Sequence, residues 1–290
     1  MEAALQYVAT GLMVGGIYAL VALGIVLIYK ATGVFNFAIG NMMMVGAFVC
    51  WSFMVQFGLE PWLSLALAIG VGALLGWLVN QLTMRPLIGQ PVLAPVMVTL
   101  ALAYFFDGLA ILIWGGSIRN FPDFLPGERI HLGPATISSN LMWAFLIAIL
   151  VFGILVLFFQ KSRTGLAMRA TAESHLVARA RGINVERIFG ITWAISAAMA
   201  TLCGVFLATR MGLEITISMV GLKAFPAVIF GGMESVLGAM VGGLTVGLLE
   251  NLAGGFISTW FMEVTPYIVL LLVLIIRPQG LFGEKRIERI

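Results

Sequence analysis

The chain has 290 residues, of which 61% are hydrophobic and 10% charged, whereas soluble domains carry about 25% charged residues. Its formal net charge is +3, from 16 Lys plus Arg against 13 Asp plus Glu. A soluble globule cannot hide that much apolar surface, and six of the basic residues, Lys161, Arg163, Arg169, Arg179, Arg181 and Arg187, lie in one loop, which marks an inner membrane face and not a nucleic-acid surface.

The apolar residues fall in blocks near the roughly 20 residues a helix needs to cross a hydrocarbon layer about 30 Å thick. These blocks lie at 5–29, 34–56, 62–84, 93–113, 142–159, 188–209, 215–231, 235–254 and 264–277. The expected fold class is all-α, a polytopic membrane protein with about nine (eight to nine) transmembrane helices. One transmembrane domain should cover 1–290, with an outer loop at about 114–141 and a cytoplasmic loop at about 160–187.

The first block is longer than a signal-peptide h-region and follows Glu2 instead of a basic stretch, so it reads as a mature helix. The basic segments are Lys30, Arg85, the run from Lys161 to Arg187, and the tail Arg277, Lys285, Arg286 and Arg289. Nine crossings with the N-terminus outside put all four on the cytoplasmic side. The seventh block is short and holds Lys223 and Pro226. If it instead enters and leaves by one face, the count is eight and one basic segment lies outside.

Just before and into the second block, Gly33, Asn36, Gly40 and Asn41 interrupt an apolar run. Two carboxamides and two glycines there suggest unwound backbone beside a polar pathway, or alternatively a membrane-edge loop with Asn caps. Asp107 lies inside the fourth block and Glu250 near the end of the eighth. A charge at a helix centre costs about 2.5–3.5 kcal/mol on insertion scales, so each should face the bundle interior or water, lining a route or tying helices together. The candidate translocation residues are thus Gly33, Asn36, Gly40, Asn41, Asp107 and Glu250.

Small-xxx-small pairs at Gly11/Gly15, Gly72/Gly76, Gly238/Gly242 and Gly243/Gly247 read as close helix packing within one bundle in preference to a dimer interface. The outer segment holds Arg119, Asp123, Glu128 and Arg129 with Pro122, Pro126 and Pro134, which suggests a small cap with turns at the prolines.

In the basic loop, Leu166, Arg169, Ala170, Glu173, Leu176, Val177 and Ala180 recur at helical spacing, and Gly182 with Asn184 supplies a stop. This predicts a short amphipathic helix at the cytoplasmic surface, either a docking element or a lipid-headgroup anchor.

Enzyme chemistry has no foothold in the pattern. His131 and His175 lie in loops without a catalytic neighbourhood, and Cys50 and Cys203 sit in apolar blocks without ligand spacing. There is no phosphate-binding G-x-x-x-x-G-K-[ST], so any ATP energy must come from a partner. No catalytic residue, metal or cofactor is expected.

Seven segments together carry a family resemblance: Gly16-Ile-Tyr-Ala-Leu-Val-Ala-Leu-Gly24 with Leu27-Ile-Tyr29, Gly33-Val-Phe-Asn-Phe-Ala-Ile-Gly40, Ser162-Arg-Thr-Gly-Leu-Ala-Met-Arg-Ala170, Ala178-Arg-Ala-Arg-Gly-Ile-Asn184, Ala224-Phe-Pro-Ala-Val-Ile-Phe-Gly-Gly232 and Arg277-Pro-Gln-Gly-Leu-Phe-Gly283. Over nearly the whole chain it resembles the LivH-type permease subunit of branched-chain amino acid ABC importers. The resemblance implies a multi-pass protein of the bacterial inner membrane. Its implied partners, besides membrane lipid, are a second homologous permease subunit, two cytoplasmic ATP-binding subunits and a periplasmic substrate-binding protein. Relatives in the family carry urea, short amides or other amino acids.

By the same resemblance, Gly231-Gly-Met-Glu-Ser-Val-Leu-Gly238 is similar to the short loop that contacts the ATPase. If the amphipathic basic loop is the docking element, the coupling residues are Leu166, Arg169, Glu173, Leu176, Val177, Arg179, Arg181 and Gly182, and the resemblance adds Gly231, Gly232, Glu234 and Gly238. The alternative function is an ion-gradient-driven secondary transporter or channel for small polar solutes, working through Asp107 and Glu250.

Overall fold

The computed structural model describes residues 2–91, 93–127, 129–132 and 135–283. Its helices are α1 (Glu2–Thr32), α2 (Ile39–Trp51), α3 (Pro61–Val79), α4 (Leu93–Trp114), α5 (Ser139–Lys161), α6 (Arg163–Glu173), α7 (His175–Ala180), α8 (Val185–Met211), α9 (Ile217–Gly231), α10 (Val236–Phe256) and α11 (Thr259–Ile276). A single π turn extends α2 (Ser52–Gln56) and another extends α3 (Asn80–Met84).

The helices differ in depth far more than in apolar character. The middle of α1 and most of α2 and α8 are buried, whereas α3, α4, α5 and α11 turn Leu, Ile, Phe and Trp side chains outward, the arrangement of helices whose solvent is lipid. The glycine pairs do their packing inside this one chain. Gly11 and Gly15 of α1 lie against the backbone of Gly247, Leu248, Gly243 and Leu244 in α10. Gly72 and Gly76 seat α3 on Thr201, Trp193 and Ala197 of α8, and Gly238 and Gly242 seat α10 on Gly231 and Ala227 of α9. Backbones approach this closely only where no Cβ intervenes.

Among the described residues, eight helices are long and apolar enough to cross a membrane by themselves; α9, with 15 residues, is shorter. The two sides can be told apart by contacts. On one side, Gln6 at the start of α1 bonds both backbone groups of Thr136 at 2.7 Å, and Arg119 pairs with Leu213 just after α8. On the other, Lys30 at the end of α1 bonds the carbonyl of Glu234 at 3.1 Å. The segment entering α9 is therefore on the first side and the one leaving it on the second, so α9 traverses the bundle. The seventh block crosses and is not re-entrant. Lys30, Arg85, Lys161 and Arg163–Arg187 then share the side of Glu234, which is the cytoplasmic one by charge.

The outer segment forms an antiparallel hairpin, β1 (Arg129–Leu132) with β2 (Ala135–Ser138). The stretch around Pro122 and Pro126 is irregular, with a bend at Leu125 beside Pro126, and is anchored by Arg119, whose guanidinium lies 4.5 Å from the Trp51 ring and bonds the Trp114 carbonyl. Glu128, Pro134 and the tail residues Lys285, Arg286 and Arg289 lie outside the described residues.

Candidate functional site

α1 ends because Gly33 takes a left-handed φ of 71°, closing the helix with its N–H on the Tyr29 carbonyl at 2.7 Å. Residues 33–38 are non-helical and fold back beside α1, with the Phe35 and Tyr29 rings 4.5 Å apart. Asn36 is fully buried, and its Oδ1 accepts from the Ala38 N–H at 3.0 Å. This bond turns the chain toward α2, whose N-cap is Ala38 without a side-chain cap bond.

Asn41, the third residue of α2, does something else. Its Nδ2 donates to Asp107 Oδ1 at 2.7 Å and to the Ala103 carbonyl at 3.0 Å. It joins α2 to the otherwise lipid-facing α4, and Thr99 supports the same seam by donating to the Phe35 carbonyl at 3.2 Å. Gly40 meets Gly221 of α9 backbone to backbone, and a Cβ on either would overlap the other helix. The unwound segment, α2, α4 and α9 thus converge at the expected break.

Glu250 belongs to a different cluster. It is fully buried on α10, and its Oε1 lies 2.9 Å from Nζ of Lys223 on α9. That ammonium also lies 2.9 Å from Oε2 of Glu263 on α11, whose side chain is 66% exposed. The second Glu250 oxygen, Oε2, is buried without a hydrogen-bond partner, and Tyr18 faces the same carboxyl group from α1. Sequence reasoning flagged Lys223 only as an oddity of a short block and missed Glu263, which sits one residue outside the ninth block. Its signal was charge at membrane depth.

On the cytoplasmic side the basic loop forms two helices, not the single helix that its spacing predicts. The break falls at Ser174, whose hydroxyl caps α7 by accepting from the Val177 N–H at 3.3 Å. The faces also differ from expectation. Gly165, Met168, Thr171 and Ala178 pack inward, whereas Leu166, Leu176 and Val177 are exposed. Arg169 lies over the Phe159 ring and donates to the Gln160 carbonyl at 3.0 Å. Arg179 approaches Glu186 at 3.9 Å, and Arg85 pairs with the same carboxylate; Arg181 and Gly182 are exposed, Gly182 with a φ of 80°.

Two ties connect this surface to the bundle. His175 Nε2 is 3.1 Å from the Ala31 carbonyl, in the last turn of α1, next to the Lys30 to Glu234 bond. A cleft of about 580 Å³ lies between Tyr29, Lys30, Gly33, Arg169, Glu173, His175 and Glu234. The short loop after α9 is closely packed: Gly231 abuts Gly238, and Gly232, with a φ of 106°, touches Gly283. The segment after α11 clamps it, Leu281 and Phe282 donating to the carbonyls of Phe230 and Gly231 at 2.8 and 3.0 Å.

The sequence matches, over residues 7–276, the family model described as the permease component of the branched-chain amino acid transport system. It is 32% identical over 302 residues to the high-affinity branched-chain amino acid transport system permease protein LivH of Escherichia coli (strain K12), covering 99% of this chain and 97% of that protein. It is likewise 32% identical over 300 residues to BraD of Pseudomonas aeruginosa, a permease protein with the same description, covering 99% and 98%. A solved structure of PsaBC from Streptococcus pneumoniae in complex with Fab is similar in fold, with a TM-score of 0.50 at 17% identity over 95% of this chain and 92% of that one.

Proposed function

The chain belongs to the permease family of branched-chain amino acid transport systems, and from that membership we propose that it works with a second homologous permease subunit, two cytoplasmic ATP-binding subunits and a periplasmic substrate-binding protein. It is a multi-pass protein of the bacterial inner membrane, and its cargo is leucine, isoleucine, valine or a related amino acid. ATP is hydrolysed on the partners, since this chain carries no phosphate-binding loop.

The observation that carries the mechanism is the convergence on the last turn of α1. His175, at the start of α7, and the carbonyl of Glu234, in the loop after α9, bond to Ala31 and Lys30, two and three residues before the left-handed Gly33. A displacement of either cytoplasmic element therefore acts on the break that leads into α2. Gly33, Asn36 and Gly40 shape that break; Asn41 with Asp107, and Glu250 on its own cluster, border the route. Exposed Leu166, Leu176 and Val177 enter a groove on the ATPase, with Arg169, Glu173, Arg179, Arg181 and Gly182 orienting the contact. Gly231, Gly232, Glu234 and Gly238 form the second contact.

Affinity purification of the tagged chain from its native membrane tests the assembly. A second permease and P-loop ATPases should come with it in a stable complex. A chain that purifies alone and still moves amino acid in response to an ion gradient contradicts the proposal.

A further inference from the structure

From the pairing of Lys223 with Glu263 we infer a binding site for the zwitterionic backbone of an α-amino acid near the outer membrane face, resting on the importer function proposed above. Glu263 is the fifth residue of α11 and Lys223 the seventh of α9. Both helices start on the outer side, so at 1.5 Å per residue the two charges lie about 6 and 9 Å below it. A carboxyl group at that depth with 66% of its side chain exposed does not face lipid, because charged side chains within membrane segments turn to protein or to a water-filled cavity. This side of α9 and α11 is accordingly part of an aqueous route.

The chemistry of the cluster matches both ends of an amino acid. Lys223 touches two carboxyl groups at 2.9 Å, buried Glu250 and exposed Glu263. Glu250 alone suffices to hold the lysine, which leaves Glu263 exchangeable. When it swings to the α-ammonium of a substrate, the N–H of Lys223 that it vacates meets the α-carboxylate, and one internal ion pair is replaced by two intermolecular ones.

Independent support comes from two prolines. Pro226 in α9 and Pro266 in α11 each lie three residues after one of these charges. A proline cannot donate to the carbonyl four residues back, so Leu222 and Met262, the residues just before Lys223 and Glu263, lose that partner. Broken helix bonds beside a charge supply the carbonyl acceptors that discontinuous transporter helices use for cationic groups.

The test uses the transporter assembled with its partner subunits in proteoliposomes and L-leucine as probe. Both native cysteines are buried, so Glu263→Cys introduces an isolated accessible thiol. That thiol should react with a membrane-impermeant sulfonated methanethiosulfonate, and leucine delivered by the binding protein should slow the reaction several-fold. Glu263→Gln, which keeps the Lys223–Glu250 pair, should raise KM for leucine about tenfold at unchanged protein level, the loss of one hydrogen bond to a charged group. Reaction only with a lipid-dissolved reagent, labelling indifferent to leucine, or an unchanged KM in Glu263→Gln overturns the site. Absence of ATP-driven leucine uptake by the wild type overturns the importer function and the site with it; uptake with an unprotected position 263 overturns the site alone.

Discussion

Lys30 donates to the Glu234 carbonyl across 204 positions of sequence, at 3.1 Å. The bond fastens the loop between α9 and α10 to the end of α1, and His175 fastens α7 to the neighbouring residue. Sequentially remote cytoplasmic elements thereby act on one helix end.

Removing these ties should uncouple the transporter before it unfolds it. His175→Ala and Lys30→Met, combined, are expected to leave ATP hydrolysis by the assembled complex within about twofold of wild type, since each removes a bond near the surface worth about 1 kcal/mol. Uptake per ATP hydrolysed should fall several-fold. Parallel assays of phosphate release and amino acid uptake in the same proteoliposomes check this; a constant ratio would assign the ties to folding only.

The Asn41–Asp107 seam makes a prediction about stability. Asn41→Leu leaves the Asp107 carboxyl without its 2.7 Å donor and should cost about 1–3 kcal/mol, whereas removing both partners is close to neutral. The double variant Asn41→Leu with Asp107→Leu should therefore recover much of the melting temperature lost by the single one, with a coupling of about 0.6–1.7 kcal/mol, as for hydrogen bonds between membrane helices. Thermal melts in detergent would settle it. If the double variant recovers stability and still fails to transport, the pair also lines the route.

Gly221→Ala should disturb the molecule far more than its chemistry suggests. Its Cβ would run into the backbone of Gly40, whereas the Cβ of Gly153→Ala meets nothing within 4 Å. Overpacking of this kind costs about 1–3 kcal/mol. The yield of monodisperse protein on size exclusion should drop for Gly221→Ala and not for Gly153→Ala; equal yields would mean that α2 and α9 separate without penalty.

Leu176 and Val177 should hold the ATPase. Both are apolar residues of α7 and are 81% and 60% exposed. Truncating both to Ala is expected to reduce co-purified ATPase several-fold with membrane insertion unchanged. Arg179→Ala should have a smaller effect that fades with salt, its pair with Glu186 being long and exposed. An intact complex that has only lost affinity for anionic vesicles would favour the headgroup anchor.

Spans and glycine seams were readable in the sequence because each obeys a local rule: about 20 apolar residues per crossing, four residues between small ones. The α9 crossing was legible only through the basic loops, which nine crossings place on one side; its length is insufficient, and long-range contacts such as Arg119 with Leu213 fix the side on which it begins. Asn36 and Asn41 look alike in sequence; one caps a turn and the other binds a helix, a difference made by the direction each side chain takes on packing. Lys223, Glu250 and Glu263 are spread over three helices, so nothing local announces their meeting. The break at Ser174 did carry a signal, a Ser able to cap the next turn, which helical spacing through Leu176 and Val177 masked.

The most direct measurement is uptake of labelled leucine into proteoliposomes holding this chain alone or with its partner permease, ATPases and binding protein. The complete assembly should accumulate leucine only with ATP, while the chain alone neither hydrolyses ATP nor moves leucine under any imposed proton or sodium gradient. Gradient-driven uptake by the chain alone would contradict the assignment and make it a carrier in its own right.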